Sequence, residues 1–112
     1  MHAYSQNTNK EPLPEWYNSF MSPPETTSPW TFWYWMYGCV TDEGIVADLQ
    51  AMRNAGIAGF YLMPIKDISD GKQYNGTARQ LSPDWWKLID KVYSTADSLG
   101  FQLGMHFSAG FA

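Results

Sequence analysis

The chain has 112 residues, the size of one domain; it is 45% apolar and 17% aromatic, and eleven acidic against seven basic side chains give a formal net charge of -4. The charges are spread without blocks, which disfavours nucleic acid as a partner, and no run of about 18 apolar residues indicates a membrane span. A single cysteine, Cys39, excludes both an internal disulfide and any cysteine cluster that could hold zinc.

Residues 1–29 hold five of the seven prolines, at 12, 14, 23, 24 and 29, among many Ser, Thr and Asn. That composition predicts an extended lead-in with no long helix and no central strand. Its start, MHAYSQNTNKEP, lacks the basic region and apolar core of a signal peptide.

From Trp30 the character changes. WTFWYWM is short, uncharged and β-prone, which predicts a strand buried on both faces and ended by Gly38. In VTDEGIVADLQAMRNAG, Thr41 can cap a helix and Asp42 and Glu43 place negative charge at its positive end. Ile45, Leu49 and Met52 form one apolar stripe, and Gly56 suits the left-handed residue at the helix end. Ile57 to Ile65 is a second buried strand, which Pro64 should close.

A polar connection of fifteen residues, KDISDGKQYNGTARQ, comes next and is long for a plain link. SPDWW then opens a second long helix, with Ser82 as cap, Pro83 at the first helical position and Asp84 in the first turn. Trp85, Ile89, Val92, Ala96 and Leu99 make its stripe and Gly100 its end. Phe101 to His106 is the third strand.

This order predicts an α/β fold of two successive right-handed βαβ units. YGCVT after the first strand carries neither phosphate-binding glycine pattern, so nucleotide binding loses its support. Three parallel strands and two helices leave apolar edges and one face uncovered. The expectation is therefore a partial (βα)8 TIM barrel, residues 30–112, as the front of a longer chain, since a full barrel takes roughly 250 residues.

The combination WYWMYGCVTDEGIVADLQAMRNAGIAGFYLM, LSPDWW and LGFQLGMHFSAGFA resembles the N-terminal part of the catalytic barrel of glycoside hydrolase family 106, the α-L-rhamnosidases, over roughly residues 20–112. The resemblance implies a calcium-associated, inverting hydrolase that removes terminal L-rhamnose from plant polysaccharides or glycosides, located in the periplasm or outside the cell. It implies that the catalytic glutamates come from later strands, so no catalytic residue is expected within this chain, and calcium would belong to the full-length enzyme.

Barrel chemistry sits at the C-terminal strand ends. Sugar rings present C–H faces that stack on Trp and Tyr, and hydroxyls that want directional partners. Trp33 and Trp35 share one strand face; read as the barrel interior, that face makes Trp35 the floor of a sugar subsite with Trp33 deeper, while Phe32 and Tyr34 face the helices. His106 and Ser108, at the end of the third strand, are the polar candidates. Packing alone could equally explain the tryptophans, and backbone contacts the histidine.

Asp67 and Asp70, with Lys66 and Asn75 nearby, do not match a calcium loop and read as solvated acids. Asp42, Glu43 and Asp84 are explained by capping, Asp48 is given no role, His2 lies in the lead-in, and Cys39 has no base in reach by sequence. Two alternatives stay open: a barrel glycosidase for another sugar, and a carbohydrate-binding or structural aromatic fragment without chemistry.

Overall fold

A computed structural model describes residues 11–65, 76 and 78–108. The chain runs α1 (Glu15–Met21), a 3-10 turn (Glu25–Thr27), β1 (Trp30–Met36), α2 (Asp42–Asn54), β2 (Gly59–Ile65), α3 (Pro83–Leu99) and β3 (Gln102–Met105). The strands form one parallel sheet in the order β1-β2-β3, with Trp30 opposite Gly59 and Gly59 opposite Gln102.

The lead-in is not wholly extended. Pro14 stands at the N-cap of α1 in extended conformation, where a missing N–H costs nothing, and the helix ends before Pro23 and Pro24. It buries no residue.

The caps form as the sequence predicts. Thr41 Oγ1 accepts from the Gly44 N–H at 3.0 Å, and Ser82 Oγ accepts from the Trp85 N–H at 3.2 Å. Gly56 and Gly100, at φ 83° and 73°, turn the chain out of α2 and α3 and directly into the following strands.

The stripes of α2 and α3 pack against the sheet from one side. Ile45 and Leu49 of α2 and Trp85, Ile89, Val92 and Ala96 of α3 join Trp33, Trp35, Phe60 and Leu62 of the strands in one buried cluster. This corrects the expected orientation of β1: Trp33 and Trp35 face the helices, while Phe32 and Tyr34 point to the opposite, uncovered face. Alternation fixes that the two pairs lie on opposite faces but not which face is which, and both helices settled on the tryptophan side. The expected burial on both faces is likewise not met, since β1 alternates between buried and exposed positions among the described residues.

Pro64 does not close β2, which continues to Ile65. Leu62 bonds toward β3, accepting the His106 N–H, and Ile65 bonds toward β1, accepting the Tyr37 N–H. By that alternation Pro64 turns toward β3, where it has no N–H to donate, so the β2–β3 ladder ends at Leu62 and His106. The chain is then free to turn at His106 to Ser108.

Candidate functional site

The uncovered face of the sheet is aromatic. Trp30, Phe32, Tyr34 and Tyr61 are all at least 40% exposed. Ring centroids lie 5.0 Å apart for Trp30 and Tyr61 and 5.7 Å for Phe32 and Tyr61. Trp30 lies across Gly59 and Tyr61 across Gly104, where a Cβ on either glycine would enter the ring. The rings thus lie along the sheet and present their faces, which suits stacking on flat apolar surfaces.

Trp35 and Trp33 are 3% and 7% exposed. Trp35 meets Trp85 edge to face at 6.4 Å and Trp33 at 5.7 Å, so neighbouring rings surround it and leave no face toward solvent. Trp33 packs edge to face on Phe60 and donates its indole N–H to Asp48 Oδ2 at 3.0 Å. The surface available for stacking is therefore the opposite parity of β1 from the one the sequence pointed to.

His106 and Ser108 do come together. His106 Nδ1 lies 3.2 Å from the Ser108 carbonyl oxygen, and Ser108 Oγ lies 3.2 and 3.3 Å from Nδ1 and Nε2. If Nδ1–H donates to the carbonyl, Nε2 accepts from the hydroxyl. The group orienting the imidazole is then a carbonyl and not a carboxylate, so among the described residues the pair is not joined by the acid of a nucleophilic triad. Both residues are exposed at the carboxyl end of β3 and can exchange these contacts for hydroxyls of a ligand.

The carboxyl ends of β1 and β2 meet through backbone. Tyr37 and Gly38 both take left-handed conformations, φ 57° and 70°. The Ala78 N–H donates to the Gly38 carbonyl at 3.3 Å, and Gly76 lies directly against Tyr37 O and the Gly38 carbonyl group. Gln80 Nε2 reaches the Phe107 carbonyl at 3.5 Å, a long contact toward the end of β3.

Sequence reasoning missed the Asp48 contact, which joins residues fifteen apart with no local signal, and the crossing at Gly38 and Gly76. The Asn-Gly dipeptide at 75–76 was the one available hint of a special backbone position. Cys39 is exposed. Lys66, Asp67, Asp70, Asn75 and His2 lie outside the described residues. The calcium that the resemblance implies finds no donor set among the described residues, where no three His, Cys, Asp or Glu side chains gather.

Comparison with known proteins agrees with this layout. The family model described as alpha-L-rhamnosidase, Glyco_hydro_106, matches residues 21–112. A protein of Formosa agariphila, provisionally named a beta-glucuronidase, is 33% identical over 110 residues, which is 98% of this chain and 9% of that protein. The solved structure of a rhamnosidase from Novosphingobium sp. PP1Y superposes with a TM-score of 0.73 at 26% identity, over 88% of this chain and 9% of the other. The fold and the family match thus place the chain among the glycoside hydrolase families. Within that class the chain belongs to glycoside hydrolase family 106, the alpha-L-rhamnosidase family. It spans about a tenth of the length of either relative.

Proposed function

We propose that residues 30–112 form the first wall of the catalytic (βα)8 barrel of an inverting α-L-rhamnosidase, with residues 1–29 as its lead-in and the catalytic carboxylates supplied by later strands. The observation that carries the proposal is the family match over residues 21–112. The arrangement of the sheet supports it: parallel strands in sequential order, both long helices on one face and a bare face on the other are what one side of a barrel wall presents. The substrate is a glycan ending in L-rhamnose, met in the periplasm or outside the cell.

In this assignment the barrel interior is the face of Trp30, Phe32, Tyr34 and Tyr61. His106 and Ser108 stand at its upper rim, where they bind sugar hydroxyls, and Trp33 and Trp35 support the wall from behind. Inversion requires a general acid and a general base about 6.5–9.5 Å apart, with water between the base and the anomeric carbon. A second reading keeps the hydrolase and changes the sugar to a β-glucuronide, as the name of the Formosa relative suggests.

The test is an assay of the full-length hydrolase on aryl α-L-rhamnoside and aryl β-glucuronide, with the first-formed anomer followed by NMR. Cleavage of the rhamnoside with β-L-rhamnose appearing first is the expected result. Cleavage of the glucuronide alone would replace the substrate, and α-L-rhamnose appearing first would replace the mechanism. Residues 1–112 alone are expected to show no hydrolysis above buffer.

A further inference from the structure

The carboxyl ends of β1 and β2 are joined by a backbone crossing that excludes side chains. At Gly38 a Cβ would lie 2.6 Å from the Ala78 carbonyl oxygen and 3.0 Å from its carbon. At Gly76 a Cβ would overlap Tyr37 O and the Gly38 carbonyl carbon and oxygen. All of these neighbours are backbone, so none can swing aside as a flexible side chain would. The crossing is anchored from below: Ala78 is 2% exposed and belongs to the cluster that holds Trp35 and Trp85, while its N–H bonds to Gly38 above.

What the crossing holds is unusual. Tyr37 occupies the left-handed region, which an aromatic residue adopts only when its surroundings impose it, at a cost on the order of 1 kcal/mol. The Tyr37 N–H is tied to Ile65 O at 2.9 Å and its carbonyl lies against Gly76. Its α-carbon is therefore fixed from both sides, at the strand end where a barrel enzyme meets its substrate.

We infer that Gly76 is a positioning residue: by permitting the crossing, it clamps the β1–α2 turn to the β2–α3 connection and sets the place of Tyr37 in the substrate site. This rests on the hydrolase reading above for the word substrate, but not for the clamp. Gly56 supplies the contrast. It has φ 83° with nothing within 4 Å of a Cβ, so alanine there strains the chain without displacing a neighbour.

The experiment compares Gly76→Ala and Gly56→Ala with wild type in the full-length hydrolase by two readouts, amide exchange at Ala78 and the kinetics on aryl rhamnoside. Gly76→Ala is expected to release Ala78 protection and to lower kcat/KM by about tenfold to a hundredfold, the scale of a misplacement of about 1 Å. Gly56→Ala is expected to lower Tm while leaving Ala78 protection and KM at wild-type values. Released protection with unchanged kinetics overturns the positioning role, and retained protection in Gly76→Ala overturns the clamp itself. If the wild type cleaves no glycoside, the hydrolase reading fails while the exchange readout still decides the clamp. Should Gly76→Ala not accumulate folded, Ala78 exchange in the wild type decides the clamp: exchange as fast as in an unstructured chain sinks it and the positioning role with it, and slow exchange upholds the clamp, while unchanged kcat/KM in a folded Gly76→Ser enzyme with released Ala78 protection overturns the positioning role.

Discussion

Asp48 sits in the middle of α2 on an exposed position, yet its Oδ2 accepts the Trp33 indole N–H and so ties the helix to the first strand. Burying an indole N–H without a partner carries a penalty, and Asp48 spares Trp33 that penalty. Asp48→Ala should cost about 1 kcal/mol, at the low end for a bond to a charged acceptor because the carboxylate is solvated. Urea unfolding measures it, and the Trp33→Phe change should add little further loss on the alanine background than on wild type, since the two side chains share one bond. Additive losses would reject the coupling. The same scale explains the orientation of Trp35. Composition and alternation paired Trp33 with Trp35, but the side they faced was decided by where two helices packed. Trp35→Ala in the complete enzyme is accordingly expected to cost about 3–5 kcal/mol of stability with KM unchanged, as a core deletion does. A raised KM at wild-type stability would restore the stacking role.

Local chemistry made the long helices and all three strands legible. Ser82, Pro83 and Gly100 each act within one turn of their own position, so a helix from 83 to 99 could be read without knowing what it packs on. Ser82→Ala should lower stability by about 1 kcal/mol by orphaning the Trp85 amide, and thermal melts should show Ser82→Asp retaining most of it. Equal losses in both variants would exclude the cap. What stayed hidden depends on contacts far apart in sequence. Pro64 looked like a strand end because its missing N–H was visible, whereas its harmless direction toward the short β3 was not. Gly38 looked like a breaker. Its need for the space that Ala78 fills emerges only when the second connection folds back upon it.

For the whole molecule the open question is what covers the ring-bearing face of the sheet. Phe32, 58% exposed among these residues, sits at its centre between Tyr34 and Tyr61. Contiguous apolar surface of this kind is seldom left to water, and a closed barrel removes both the open face and the two sheet edges at once. The two situations price a charge differently. If the face stays in solvent, Phe32→Lys changes stability within about 0.5 kcal/mol, as most surface substitutions do. If strands from later in the chain close over it, the lysine is buried without a partner and the cost reaches several kcal/mol, enough to prevent a 5–15 kcal/mol domain of ordinary stability from accumulating folded. Closure predicts the second outcome in the full-length hydrolase, read as lost soluble expression or a collapsed melting transition. Phe32→Leu, which keeps the apolar contact, should remain folded. A soluble Phe32→Lys enzyme melting with the wild type would mean that the face is a surface after all, and with it the barrel would fall, although membership of the family would not.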